Sequence, residues 1–205
     1  MESNNPLLTR AINPSSAKSS NVLLVDMDGP IAELEEKFLI RCLSLFSKES
    51  LLINRLFTTR QSHRFSDVCP EPYRKAISSI LCEPGFFASL SVVPGALNAL
   101  NTLIELGFDV HICTSPIKAC AQNCISEKTE WVLRNFGSDF VRRLIVTSDK
   151  TLIRGRFLID DNPEVCGIMT PEWEHVIFDF DYNRGVNHKR RLTWENYLEV
   201  LDLTL

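Results

Sequence analysis

Four stretches of this chain run from apolar residues into a polar residue able to do chemistry. Asp26 and Asp28 follow NVLLV (21–25), and Thr114 and Ser115 end or follow FDVHICT (108–114). Asp149 and Lys150 come just after RLIVT (143–147), and Asp160 and Asp161 close RFLIDD (156–161). Singly, each has an ordinary explanation: Asp after a strand caps a helix, Thr-Ser-Pro makes a turn, and Asp-Lys is a solvated pair. Together they are the parts needed for phosphoryl transfer. Asp26, Asp28 and a third carboxylate from Asp160 or Asp161 would form a hard oxygen site for Mg²⁺ beside a phosphate. Asp26 would attack phosphorus to give an aspartyl-phosphate, while Asp28 would protonate the leaving oxygen and then activate water. Lys150 would offset charge on the equatorial oxygens, and the Thr114 hydroxyl would hydrogen-bond them.

Such a set converges only if the runs are parallel strands ending on one edge, because ligands of open α/β sheets sit outside the carboxyl ends of the strands. The pattern between the runs fits that requirement. PGALNALNTLIELG (94–107) opens on a proline, places Leu97, Leu100, Leu103 and Ile104 on one face and stops at Gly107. EKTEWVLRNFG (127–137) repeats the design, with Trp131, Val132 and Phe136 as its apolar side. EHVIFDF (174–180) reads as a fifth strand and TWENYLEVL (193–201) as a last helix with Thr193 at its N-cap. The expected fold is α/β, a parallel sheet with helices on both faces. The distance from the first strand to Pro94 exceeds any ordinary βα connection, so residues 33–92, with helical patterns in EKFLIRCLSLF and EPYRKAISSIL, read as an inserted helical cap. The core is then 21–32 plus 93–205, and residues 1–20, rich in Ser, Asn and Pro, read as a flexible arm.

The 205 residues, 44% of them hydrophobic, suit one soluble domain with an insertion. A net charge of −4 without a basic run argues against polymeric nucleic acid as partner, and no segment is apolar for long enough to enter a membrane. A single nucleotide remains admissible. Seven cysteines, an odd number set mostly in apolar or helical stretches, fit a reducing, cytoplasmic setting. Arg10 and Lys18 among serines leave organelle targeting by the arm as the alternative, with Glu2 against it. Cys120 and Cys124 stand at helical spacing without Cys or His partners nearby, so they read as structural.

The motifs also carry a resemblance. DMDG (26–29), Thr114-Ser115, Lys150 and Asp160-Asp161 resemble the four motifs of the haloacid dehalogenase superfamily, in which phosphatases carry the second aspartate of the first motif. ICTSPIK (112–118), EKTEWV (127–132), SDKTLIRGRFLIDDNP (148–163), PEWEHVIF (171–178) and RRLTW (190–194) are similar to the cytosolic and mitochondrial 5′(3′)-deoxyribonucleotidases. That resemblance implies a Mg²⁺-dependent, homodimeric monophosphatase for nucleoside monophosphates. It makes Asp26 the nucleophile, Asp28 the acid/base and Asp161 the further metal ligand, with Thr114, Ser115 and Lys150 on the phosphate. Lys118 and Lys128 match basic positions, and Leu34 stands where relatives carry a pocket aromatic. Thr59, Arg60 and Gln61 replace aromatic and apolar pocket residues, so a polar sugar pocket is expected. Trp131, Trp173 and Trp194 match as well and read as core anchors. The other readings are a phosphatase for a different small ester, such as a sugar phosphate, and a non-catalytic nucleotide-binding domain.

Overall fold

The computed structural model describes residues 21–203, so the arm expected over 1–20 lies outside the described residues. Six parallel strands form one sheet in the order β3-β2-β1-β4-β5-β6. They are β1 (Val22–Val25), β2 (Asp109–Thr114), β3 (Leu144–Val146), β4 (Phe157–Asp160), β5 (Glu174–Phe178) and β6 (Arg191–Leu192). The central strand β1 pairs with β2 and β4, in registers such as Val25 with Ile112 and with Ile159. Its residues alternate between two apolar layers: Leu23 and Val25 enter the main core, and Leu24 enters a smaller one with Cys113, Leu158 and Trp173.

Between β1 and β2 the chain makes α1 (Leu34–Leu45), α2 (Ser50–Thr59), α3 (Phe65–Val68), α4 (Glu71–Ile80) and then α5 (Ala96–Glu105). The first four bury Phe38, Cys42, Ile53, Phe65, Ile77 and Ile80 in the same cluster that holds Leu23 and Val25, so one core is shared by helical segment and sheet. The chain leaves and rejoins the sheet at one place. Glu33 N–H donates to Ser91 O (2.9 Å) and Val93 N–H to Ile31 O (3.0 Å). Two indoles fasten that junction, Trp194 Nε1 donating to Pro30 O (2.6 Å) and Trp131 Nε1 to Leu90 O (2.7 Å).

Helix α6 (Ala121–Phe136) starts six residues before the expected EKTEWV pattern and ends at Gly137, whose φ of 87° needs no Cβ. α7 (Ser138–Val141) follows. α8 (Tyr197–Val200) is shorter than expected: Thr193 caps a turn over 194–196 instead, its Oγ1 accepting from Glu195 N–H (3.3 Å) and its N–H donating to Asn196 Oδ1 (2.8 Å), and the helix begins after Asn196. Strand β6 was not expected, since two residues are too few to show a period. Cysteine chemistry also departs from the reading of unpaired thiols. Cys82, just past α4, is joined by a disulfide to Cys120, just before α6, while Cys42, Cys69, Cys113, Cys124 and Cys166 are free. Among the described residues no helix is long and apolar enough to cross a membrane.

Candidate active site

The site forms where β1, β2 and β4 end side by side. Beyond β1 the Asp26 N–H still donates to Ile159 O of β4 (2.8 Å), which carries Asp26 one residue past the strand. The chain then curls back, Gly29 N–H donating to Ala32 O (2.9 Å) and Ala32 N–H to Met27 O (2.9 Å). Gly29 has φ of 100°, and a Cβ there would stand 3.0 Å from the Asp161 carboxyl carbon. Glycine is needed twice over, for the turn and for the approach of Asp161.

Asp26, Asp160 and Asp161 place carboxylate oxygens within 4.8 Å of one another. Asp28 is not in that group. Lys150, 6% exposed, spans two of the three, with Nζ 2.7 Å from Asp26 Oδ1 and 2.6 Å from Asp160 Oδ2. Burial works against its ammonium, but the charges of Asp160 and Asp26 outweigh that and hold its pKa above the ordinary lysine value. Asp149 does not join the cluster. It caps the turn that begins at Lys150, accepting from Thr151 N–H (2.9 Å), and accepts from Ile168 N–H (2.9 Å).

A second buried lysine was not singled out for the site. Lys128 of α6 is fully buried and donates to Asp28 Oδ2 (2.6 Å), Thr114 Oγ1 (2.8 Å) and Ser115 O (2.9 Å). All three of its donors are used. Its neighbour Glu127 accepts from Gly85 N–H (2.6 Å) and Phe87 N–H (3.0 Å), which sets the Phe87 ring 4.8 Å from the Lys128 ammonium. In sequence only the match of Lys128 to a basic family position hinted at this, and nothing marked Glu127. Ser115, whose backbone oxygen accepts from Lys128, and Lys118 are both exposed, and Leu34 is half-buried against the main core.

Burial, above all, raises the Asp26 and Asp28 carboxyls above the usual range, against the opposing charges of Lys150 and Lys128. Asp161 is pushed up further by burial and by the charges of Asp160 and Asp26. Three crowded carboxylates offset by one ammonium call for a proton or a cation, and the all-oxygen donor set suits a hard divalent ion. Asp28 Oδ1 is buried without a partner, so the site also has one acceptor unserved by the protein.

Of the three residues expected to make a polar pocket, Thr59 is exposed and its hydroxyl returns to Arg55 O (2.8 Å) on its own helix. Gln61 is exposed at the edge of a cavity of about 430 Å³ that Tyr182 and Lys189 also line. Arg60 alone is buried.

Residues 20–204 match the family model described as 5′ nucleotidase, deoxy (pyrimidine), cytosolic type C protein. The chain is 38% identical over 190 residues to the human cytosolic-type 5′(3′)-deoxyribonucleotidase, covering 88% of this chain and 92% of that one. To the human mitochondrial 5′(3′)-deoxyribonucleotidase it is 37% identical over 190 residues, covering 88% and 82%. A Bacteroides fragilis structure described as haloacid dehalogenase-like shares the fold at a TM-score of 0.52 and 13% identity, covering 84% of this chain and 96% of that one. With the sheet order, the four converging strand ends and these likenesses in hand, the chain belongs to the 5′(3′)-deoxyribonucleotidase family and has a haloacid dehalogenase-like fold.

Proposed function

We propose that this chain is a Mg²⁺-dependent phosphomonoesterase for (deoxy)ribonucleoside monophosphates that works through an aspartyl-phosphate on Asp26. The observation that carries this is Asp26 itself, with one oxygen fixed by Lys150 and the carboxylates of Asp160 and Asp161 beside it. Asp26 and Asp161 would hold the cation. Asp160 has both oxygens occupied, Oδ2 by Lys150 and Oδ1 by Asn162 N–H (2.9 Å), whereas Asp161 Oδ1 is left for a ligand. Bound there, Mg²⁺ supplies charge neutralisation that lets a phosphate dianion approach.

Asp26 then attacks phosphorus in line as the ester oxygen leaves. Asp28 delivers the proton. Lys128 holds Oδ2, so the proton resides on the unpartnered Oδ1, and burial keeps the carboxyl protonated above the ordinary range. After the alcohol departs, the same carboxylate takes a proton from the water that hydrolyses the acyl-phosphate. Thr114 Oγ1 accepts from Lys128, which leaves its own hydrogen for a phosphoryl oxygen, and Lys150 offsets charge on the others. Ser115 and Lys118, both exposed beside this loop, would extend the contact to the rest of the phosphate.

The segment 33–92 serves as the cap, with Leu34 on its substrate side. The names of the two human relatives support nucleotide as the substrate and are compatible with either a cytosolic or a mitochondrial location. The test is turnover of a panel of nucleoside and sugar monophosphates with and without Mg²⁺, alongside Asp26→Asn. Loss of turnover in the variant, inhibition of the wild type by fluoroaluminate and, separately, a trapped aspartyl-phosphate that maps to Asp26 are expected. Turnover by Asp26→Asn, or a preference for sugar phosphates, would sink the reading.

A further inference from the structure

The residue that closes α2 reaches the cation site without touching a carboxylate of the cluster. Arg60 is 6% exposed, and its guanidinium lies 4.0 Å from the Phe57 ring centroid and 4.6 Å from that of Tyr182. A flat cation is thus held between one ring of the helical segment and one ring carried by the sheet. Its N–H groups are tied down as well: Nε donates to Ser62 O (3.0 Å), Nη1 to Phe57 O (2.8 Å), and Nη2 pairs with Glu35 of α1. Every one of those anchors belongs to the helical segment. Tyr182, by contrast, sits in the turn Asp181–Asn183 that follows β5, and its ring stacks on Phe180 at 5.3 Å between centroids.

The Tyr182 hydroxyl donates to Asp161 Oδ2. Asn183 Nδ2, one residue on, donates to the Asp161 backbone oxygen (2.9 Å) and to Phe178 O (2.9 Å), so this turn fixes both the backbone and the carboxylate of Asp161. With Oδ2 taken and no room for a Cβ at Gly29 beside the carboxyl carbon, the carboxylate plane is set and Oδ1 is the oxygen left for a ligand. A donor behind a coordinating carboxylate orients it and removes the need to freeze it when the ion arrives.

We propose that Tyr182 is a positioning residue for the cation site and that Arg60, paired with Glu35, is the latch by which the helical segment holds Tyr182 against Asp161. The proposal rests on the reading of Asp161 as a metal ligand. It assigns the helical segment a task beyond covering substrate, since cation affinity then depends on an arginine that contacts neither ion nor nucleotide phosphate.

The test is a Mg²⁺ titration of the whole chain without nucleotide, followed by calorimetry and by the rise in Tm, on the wild type, Tyr182→Phe and Arg60→Met. Steady-state kinetics over the same range of Mg²⁺ accompany it. Tyr182→Phe keeps the ring and its stacking and is expected to weaken Mg²⁺ binding by about tenfold, with kcat at saturating Mg²⁺ close to the wild type. Arg60→Met is expected to shift binding in the same direction by less, and Arg60→Lys, which keeps charge without a flat face, should not rescue it. A Tm lowered in the Mg²⁺-free protein with an unchanged Mg²⁺ Kd would reduce both residues to packing and overturn the proposal. A shift in Tyr182→Phe alone would overturn the latch. Should Arg60→Met fail to fold, Glu35→Gln, which frees the guanidinium while leaving it stacked, replaces it under the same criteria. A wild type that binds no Mg²⁺ fails the underlying metal reading instead, which is a different result from an unshifted variant.

Discussion

Two buried lysines hold three of the four carboxylates of the site between them, and the division fits the proposed roles. Lys150 holds Asp26, the proposed nucleophile, together with Asp160, while Lys128 holds Asp28, the proposed acid, and donates to the Thr114 hydroxyl. Removing Lys128 would therefore touch acid catalysis first. Its charge draws the Asp28 carboxyl down against burial, so in Lys128→Met that carboxyl rises further and keeps its proton to higher pH. The limb of kcat/KM that falls with rising pH, if it reports protonated Asp28, moves upward in the variant. The maximum falls by ~10² or more, because Thr114 loses the partner that aims its hydrogen. A pH profile with an unmoved limb would show that Asp28 is not the acid. Leaving Asp28 buried without a partner also costs stability, on the order of 3–5 kcal/mol for a broken buried pair, so the Tm should drop as well.

At the scale of elements, the turn after β1 and the disulfide beside α4 make separate demands. Gly29→Ala puts a methyl 3.0 Å from the Asp161 carboxyl carbon at a φ of 100° that side chains rarely adopt. The expected cost is about 1–2 kcal/mol of stability, from the left-handed backbone, together with weakened Mg²⁺ binding as Asp161 is pushed aside. Calorimetry on the apo and Mg²⁺-loaded variant reads both, and an unaltered Mg²⁺ affinity would count against Asp161 as ligand. The bond from Cys82 to Cys120 closes a loop across 38 residues, so Cys82→Ser should lower unfolding stability by roughly 3–4 kcal/mol. An equal urea midpoint for variant and wild type would mean the thiols are reduced in the working protein.

These elements also show how much the sequence carried. The five longer strands, α5 and the convergence of Asp26, Thr114, Lys150 and Asp161 were legible, because apolar runs that end in polar residues are a local signal. The pairing of Lys128 with Asp28 across 100 positions and of Cys82 with Cys120 was not, because nothing near either residue shows its partner. Thr193 misled for the opposite reason. It has the chemistry of a cap, but its hydroxyl accepts from Glu195 N–H (3.3 Å) in a separate turn over 194–196, and α8 starts only after Asn196.

For the molecule as a whole, a buried histidine at the smaller apolar layer sets one response of stability to acid. His175 of β5 lies edge-on beside Trp173 of that layer and is 9% exposed. Lys189, on the connection to β6, has its ammonium 2.9 Å from His175 Nδ1 and donates to Pro163 O (2.7 Å). An ammonium donating to Nδ1 requires neutral imidazole with its proton on Nε2. Burial, and then the charges of Lys189 and Lys150, pull the His175 pKa from 6.5 to about 4. The folded pKa lies below the unfolded one, so the stabilisation is complete above pH 6.5 and is lost as pH falls toward about 4. Between pH 7 and pH 5 that loss amounts to about 2 kcal/mol. Asp109, Asp149 and Glu174, held below the usual carboxylate range by hydrogen bonds from His111, Thr151 and Arg190, give up their stabilisation only at lower pH. The raised carboxyls of Asp26, Asp28 and Asp161 act in the opposite sense, since they lose protons as pH rises, and a comparison of variant with wild type cancels both groups. His175→Asn keeps an oxygen where Nδ1 accepts from Lys189 and cannot be protonated. Urea unfolding at pH 7 and pH 5 should then show wild type losing about 2 kcal/mol more than the variant over that interval. Equal losses would mean that His175 is protonated in the folded state at pH 5 and that Lys189 has turned away from it.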